Sequence, residues 1–281
     1  MATHPYRIVN VFTENQGTLT GNPLCVFESA GDLNGEQMQA LALQFNLSET
    51  TFILPSTRAN ARLRIFTPAY EMPFAGHPTL GSAHVCRALK LGGDSLTLET
   101  QAGLIPVTAK ADRWTLTALP PTHREVEEPR EILAAALSLE AKDIGEKPLW
   151  VRAGKEQLIV PLKSTEAVRR ARPDSAKLNA LKSIDGQSMA YVFALTGERE
   201  ALSRFFFPKD NNFLEDPATG SATANFGGWF IAMGKKLPVS LKISQGEMIR
   251  RPSQLYLDVT ENKEIRVGGD VIELGRGSIT L

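Results

Sequence analysis

One short motif is written twice in this chain, and that duplication limits the fold more than any other feature. Ala75-Gly76-His77-Pro78-Thr79-Leu80-Gly81-Ser82-Ala83 is answered by Glu215-Asp216-Pro217-Ala218-Thr219-Gly220-Ser221-Ala222. Aligned on Pro78 and Pro217, both read (His or Asp)-Pro-x-x-Gly-Ser-Ala, an offset of 139 residues (78 to 217). The lead-in repeats as well: Arg64-Ile65-Phe66-Thr67-Pro68 is echoed by Arg204-Phe205-Phe206-Phe207-Pro208, an offset of 140 (64 to 204). A weaker echo follows each copy, Thr100-Gln101-Ala102-Gly103 against Ser244-Gln245-Gly246. Two copies are too few for a solenoid, which needs about three. They imply two similar half-molecules.

Each copy is expected to run from an extended segment through a polar loop into an apolar helix opened by Gly-Ser-Ala. The first N–H groups of a helix lack internal partners, and together with the helix dipole they favour an anion, most simply a carboxylate. The functional expectation is two helix N-termini facing one cleft, one bearing His77 and the other Asp216. The alternative is a repeated helix cap whose serine satisfies its own backbone.

Composition narrows the classes. At 281 residues the chain has room for two ordinary domains, and 42% hydrophobic with 22% charged residues is usual for a globular protein. Thirty-one basic residues balance thirty-one acidic ones, so no overall field points to nucleic acid or an anionic membrane. Arg169-Arg170-Ala171-Arg172 and Lys235-Lys236 are short enough to be solvated faces. Two distant cysteines, Cys25 and Cys86, make no disulfide framework and suit a reducing cytoplasm. A strand-like pattern begins at once, so no signal sequence is expected, and no apolar run approaches the roughly 18 residues of a membrane span.

Periodicity sketches the elements. Tyr6 to Thr13 reads as a strand, and Asp32 or Asn34 can cap a helix over Glu36 to Phe45. Glu49 falls where that helix gives way to an apolar, β-branched strand. Apolar helices are expected from about Thr79 to Leu91 and from Thr219 to about Met233, and a charged helical region over Thr165 to Leu181. Strands joined by short turns favour antiparallel neighbours over βαβ units. The fold class expected is α+β, two pseudo-equivalent domains of largely antiparallel, curled sheet around a central helix. The first domain covers residues 1–120 with Glu49 and His77. Pro120 to Pro129, rich in proline and charge, is the expected linker. The second covers 130–281 with Asp216 and Ser221, its final strand free to return to the first.

Glu49, His77 and Asp216 are the candidate catalytic residues. The chain has no Gly-x-Ser-x-Gly elbow, no Walker loop and no Gly-x-Gly-x-x-Gly after a strand. His77 and His84 are seven positions apart, not the i, i+4 of a zinc helix. Neither cofactor nor metal is therefore expected. What remains is acid–base chemistry by two carboxylates and an imidazole, which can take a proton from one carbon and return it to another. Glu49, flanked by Leu47, Phe52 and Ile53, is placed for partial desolvation, which would lift its pKa towards a working range. Alternatively it is a strand-edge glutamate in water, or the partner of Arg62 or Arg64.

Gly21-Asn22-Pro23, Leu47-Ser48-Glu49-Thr50, Pro73-Phe74-Ala75-Gly76-His77-Pro78-Thr79 and Glu215 to Ala222 together resemble the PhzF family of phenazine-biosynthesis isomerases, nearly end to end and in order. The resemblance implies a diaminopimelate epimerase-like fold with the site between the halves. It implies a cofactor-independent isomerisation of the kind performed on trans-2,3-dihydro-3-hydroxyanthranilate. Glu49 would be the main acid–base group, with His77 and Asp216 assisting. Asn22, Gly76, Thr219, Gly220 and Ser221 would bind a small carboxylate substrate, and the protein would be a cytoplasmic homodimer. The epimerases of this fold place a cysteine in each half-site; Cys25 and Cys86 match neither place, which disfavours a two-thiol racemase. The rival readings are an epimerase acting α to a carboxylate, and a non-catalytic carboxylate-binding protein.

Overall fold

The alternating residues of the N-terminus form β1 (Thr3–Val11) in the computed structural model, which describes every residue from Met1 to Leu281. Contacts divide the chain into two units, Met1–Thr117 with Gly268–Leu281, and Ala118–Val267. In the first unit β2 (Asn22–Phe27) pairs antiparallel with β1. Helix α1 (Gly35–Phe45) follows, capped by Asn34: its side chain accepts from the Gln37 N–H while the Gln37 side chain accepts from the Asn34 N–H. Strands β3 (Thr50–Leu54), β4 (Ala61–Phe66) and the two-residue β5 (Glu71–Met72) lead to α2 (Gly76–Ala88). Strands β6 (Ser95–Thr100), β7 (Gly103–Lys110) and β8 (Arg113–Thr117) form a meander.

The second unit opens with β9 (Thr122–Glu125) inside the expected linker. Its charge is not simply solvated. Arg124 binds the buried Glu156 carboxylate and stacks on Trp150, which holds the segment against the sheet. Next come α3 (Arg130–Ala136), β10 (Leu149–Arg152) and β11 (Glu156–Pro161). The charged helical region is two short helices, α4 (Thr165–Arg170) and α5 (Ser175–Ala180), because Pro173 interrupts it. Then follow β12 (Ala190–Leu195), β13 (Glu200–Lys209), β14 (Asn212–Asp216), α6 (Gly220–Ala232), β15 (Val239–Gln245) and β16 (Ser253–Val259). The last strand, β17 (Ile265–Thr280), begins in the second unit and continues into the first, where it pairs with β1.

The two units share one strand plan. Strands β2 and β3 are parallel, as are β11 and β12; β4 and β6 are parallel, as are β13 and β15. The ladders β1–β2, β3–β4, β6–β7, β7–β8, β12–β13 and β15–β16 are antiparallel, so the expectation of a largely antiparallel sheet holds, with parallel pairs alongside it. The crossovers run through helices, which is what parallel pairing demands.

Each unit is built on its own helix. His77 through Ala83, then Val85 and Cys86, are buried in α2, and every residue from Ala222 to Phe230 is buried in α6. A helix buried on nearly all sides is core. Gly81 permits that closeness: a Cβ there would stand 2.6 Å from Leu24 Cδ2. Around α6 the rings of Phe193, Phe226, Trp229 and Phe230 interlock. No helix is long and apolar enough to cross a membrane.

The repeat extends to side chains. Arg64 grips Glu71 through two 2.7 Å bonds and lies 5.0 Å from the Phe66 ring centroid. Arg204 grips Glu215 at 2.7 and 3.1 Å and lies 4.8 Å from Phe206. In the strand ladders Phe66 faces Glu71 and Phe206 faces Glu215.

Candidate active site

Glu49 and His77, distant in sequence, meet in the first unit. Glu49 lies just ahead of β3 and His77 is the second residue of α2. Oε2 of Glu49 and Nε2 of His77 are 3.5 Å apart, both shielded from water. The arginine alternative for Glu49 is excluded for Arg64, whose guanidinium is held by Glu71.

The tautomer of His77 follows from its surroundings. The ring hydrogen-bonds the backbone of Pro23, and proline offers only a carbonyl, so the ring donates. Nε2 makes no hydrogen bond, which leaves Nδ1–H as the donor. Burial pushes the ring pKa down from 6.5 to about 3, and the Pro23 bond opposes this only in part. His77 is thus neutral, with the Nε2 lone pair turned on Glu49. That lone pair repels an ionised Glu49 and accepts the proton of a protonated one. Asn22, fully buried beside Pro23, follows Gly21, where φ is +79° and a Cβ would sit 2.5 Å from the Val11 carbonyl. Glycine is required there. Gly76 opens α2, its N-cap Ala75 makes no side-chain capping bond, and a Cβ at Gly76 would touch nothing within 4 Å.

The second unit gathers Asp216, Thr219, Gly220 and Ser221. The Thr219 hydroxyl donates to Asp216 Oδ2 at 2.5 Å. Gln245 holds both residues. Its Nε2 donates to the Asp216 carbonyl at 2.9 Å and to Thr219 Oγ1 at 3.0 Å, and its Oε1 accepts from the Thr219 N–H at 3.3 Å. Gly220 and Ser221 open α6, whose N-cap Thr219 makes no side-chain capping bond. Ser221 is exposed, and its Oγ accepts from Gln157 Nε2 at 3.1 Å. Gln157 and Gln245 were missed from sequence. The only signal was the Gln101/Gln245 echo, and its meaning lay in contacts.

The structure corrects the register of the repeat. Gly81-Ser82-Ala83 lies in the second turn of α2, whereas Gly220-Ser221-Ala222 begins α6. Counting from the matched pairs Phe66–Glu71 and Phe206–Glu215, Pro73 corresponds to Pro217, Gly76 to Gly220 and His77 to Ser221. Asp216 therefore answers to Met72, not to His77. Through Phe52–Arg64 and Val192–Arg204, Glu49 answers to Met189. Gln245 takes the place of Thr100, one residue from the echo read in sequence, since Arg62 pairs Glu99 as Leu202 pairs Ser244. Neither thiol takes part: Cys25 and Cys86 are buried, which raises both pKa values, that of Cys86 to about 12.

An uncapped helix start in each unit, with a glutamate and a neutral histidine at the first, is a recognisable arrangement. The sequence matches the family described as phenazine biosynthesis-like protein, PhzC-PhzF, over residues 9–275. The chain belongs to that family. It is 38% identical to an uncharacterised isomerase of Pasteurella multocida over 284 residues, 99% of this chain and 95% of that one. It is 36% identical to the trans-2,3-dihydro-3-hydroxyanthranilate isomerase of Pseudomonas aeruginosa over 262 residues, 90% of this chain and 89% of that one. The crystal structure of a PhzF-family phenazine biosynthesis protein from Bacillus anthracis superposes with a TM-score of 0.89 at 25% identity, covering 100% of both chains. A hydroxyproline epimerase from Agrobacterium vitis shares the fold, with a TM-score of 0.65 at 12% identity over 99% of this chain and 93% of that one. The chain is an isomerase of α+β, epimerase-like fold.

Proposed function

We propose that this isomerase moves a proton on a small cyclic or unsaturated carboxylic acid by acid–base chemistry centred on Glu49, without a cofactor. The observation that carries the reading is the shielded 3.5 Å contact between Glu49 Oε2 and His77 Nε2. A base must take a proton and later return it. The neutral ring serves both stages: it opposes the ionised carboxylate, keeping it reactive, and accepts a hydrogen bond once Glu49 is protonated. Asp216, steadied by Thr219 and Gln245, is assigned a supporting role towards a polar substituent of the substrate. The N–H groups at Gly76, Gly220 and Ser221 are assigned the carboxylate, for which uncapped helix starts are suited. Asn22 and Thr219 complete the binding set, Thr219 acting through Asp216.

The relative from Pseudomonas aeruginosa makes trans-2,3-dihydro-3-hydroxyanthranilate the first compound to try. In D2O, an isomerase moves the double bond with label entering at the new C–H, while an epimerase inverts a centre and moves no double bond. Glu49→Gln keeps the shape but cannot accept the proton, so turnover is expected to fall by about 10²–10⁴-fold with a far smaller change in affinity. Near-normal turnover, or a matched loss of binding and rate, would remove Glu49 from the proton-transfer role. Family likeness also supports a cytoplasmic homodimer. A solution mass of one chain would count against the dimer without touching the chemistry.

A further inference from the structure

Ser221 stands at the end of a buried chain of amides whose direction is set by the backbone. The Ala153 N–H, which can only donate, gives its hydrogen to Asn225 Oδ1 at 2.6 Å. That fixes the Asn225 amide, and its Nδ2 donates to the Lys155 carbonyl at 2.9 Å and to Gln157 Oε1 at 2.8 Å. Gln157 is fixed in turn, so its Nε2 faces Ser221 Oγ as a donor at 3.1 Å. Asn225 is fully buried and Gln157 is 2% exposed. With its oxygen already accepting, Ser221 has its own proton left to give, and the residue is exposed at the start of α6.

The other half of the molecule shows that the fold does not need this polar pair. By the same register, Gln157 answers to Leu24 and Asn225 to Gly81. There the leucine packs directly on the helix glycine, and neither position carries a polar side chain. A buried amide pair is costly unless every group is satisfied, and an apolar substitute is built into the same chain. Besides tying the Ala153 N–H and the Lys155 carbonyl, the pair sets the direction of the Ser221 hydroxyl.

We propose that Asn225 and Gln157 are positioning residues that turn the Ser221 proton outwards, so that the α6 start offers a hydroxyl donor as well as backbone N–H groups to the substrate carboxylate. The inference rests on the proposed function, in that it takes Ser221 as a substrate contact. It adds what the motif alone does not: the residues that decide whether that serine gives or receives.

The test measures binding of 3-hydroxyanthranilate and of 2-aminophenol, which lacks only the carboxylate. Ser221→Ala and Gln157→Met should each weaken 3-hydroxyanthranilate on the order of fivefold, the worth of one hydrogen bond, and leave 2-aminophenol unchanged. The double variant should be no worse than either single one. Gln157→Leu with Asn225→Gly copies the packing of the first unit and, with folding checked by thermal melting, should show the same loss. Gln157→Glu supplies a signature no packing defect gives. Ionised, it takes the Ser221 proton and affinity drops; protonated at lower pH it donates again, and its affinity relative to the wild type recovers. Additive losses, equal losses with 2-aminophenol, or a Gln157→Glu deficit that does not change with pH overturn the inference while the proposed function stands. Failure of the wild-type protein to bind 3-hydroxyanthranilate overturns the substrate reading and this inference with it.

Discussion

His77 supplies the sharpest physical test, because two effects of opposite sign act on one ring. Burial favours the neutral form, whereas Glu49 at 3.5 Å favours the imidazolium. If burial wins, the folded pKa lies at about 3 against 6.5 in the unfolded chain. Between those values the unfolded state binds a proton that the folded state refuses, so stability falls with falling pH. The contribution is fully present above pH 6.5 and is lost as pH descends towards 3, at up to about 1.4 kcal/mol per pH unit. Integrated from pH 7 to pH 5, this one ring should cost about 2 kcal/mol. His77→Asn keeps an N–H for the Pro23 carbonyl but cannot titrate. Urea unfolding of both proteins at pH 7, 6 and 5 cancels the groups they share, and the wild type should lose about 2 kcal/mol more than the variant. Parallel losses would mean that the ring is solvated in the folded state. A wild type that holds its stability better than the variant on acidification would mean that the charge of Glu49 outweighs burial, and the neutral acceptor assigned to His77 would fall.

If the carboxylate binds at the start of α6 as proposed, Gly220→Val should weaken 3-hydroxyanthranilate at least tenfold, with melting temperature measured alongside to separate loss of binding from loss of fold; unchanged affinity would locate the carboxylate elsewhere. The two arginine pairs allow the same change in two settings. Arg204 and Glu215 are each 6% exposed, against 27% and 21% for Arg64 and Glu71, so Arg204→Met should destabilise by about 3–5 kcal/mol and Arg64→Met by clearly less. Equal losses in urea titration would show that burial does not govern these pairs. If one carboxylate both removes and returns the proton, substrate labelled with deuterium at the reacting carbon should keep part of its label in the product in H2O, and complete washout would favour separate acid and base.

Much of the fold was legible. Apolar alternation located most strands, Asn34 announced its helix, and the duplication announced two like units. Pairing was less visible, because periodicity says that Cys25 to Phe27 and Thr50 to Phe52 are strands but not that they lie side by side and parallel. The register of the repeat failed for a specific reason. The connection from Phe206 to Glu215 is longer than that from Phe66 to Glu71, so the offset changes within the repeat. Aligning the histidine and aspartate prolines absorbed that change wrongly and gave Gly81-Ser82 a role that belongs to Gly76-His77. Glu49 and His77 could each be singled out by local chemistry, but their contact depends on β3 and α2 packing together. The charged stretch after Pro120 misled because its arginine has a buried carboxylate and a tryptophan to meet, neither of them near it in sequence.

With the register corrected, the duplication bears on mechanism in a way that the motif alone did not. Inverting a carbon centre takes a base on one face and an acid on the other, and a duplicated scaffold supplies them most directly by repeating one titratable residue at both equivalent positions. This chain repeats none of them. Glu49 answers to Met189, His77 to Ser221 and Asp216 to Met72, while the supporting pair Gln157–Asn225 answers to Leu24–Gly81. The backbone donors at Gly76 and Gly220 are what the two halves keep in common. Under the proposed function, recognition of an anion is duplicated and proton chemistry is not. Glu49 with a neutral imidazole at its side, and Asp216 at a position that is not its equivalent, suit lifting a proton from one carbon and setting it on another of the same molecule better than presenting equal groups to two faces. That asymmetry, rather than the absence of thiols, is the stronger argument for isomerisation over epimerisation.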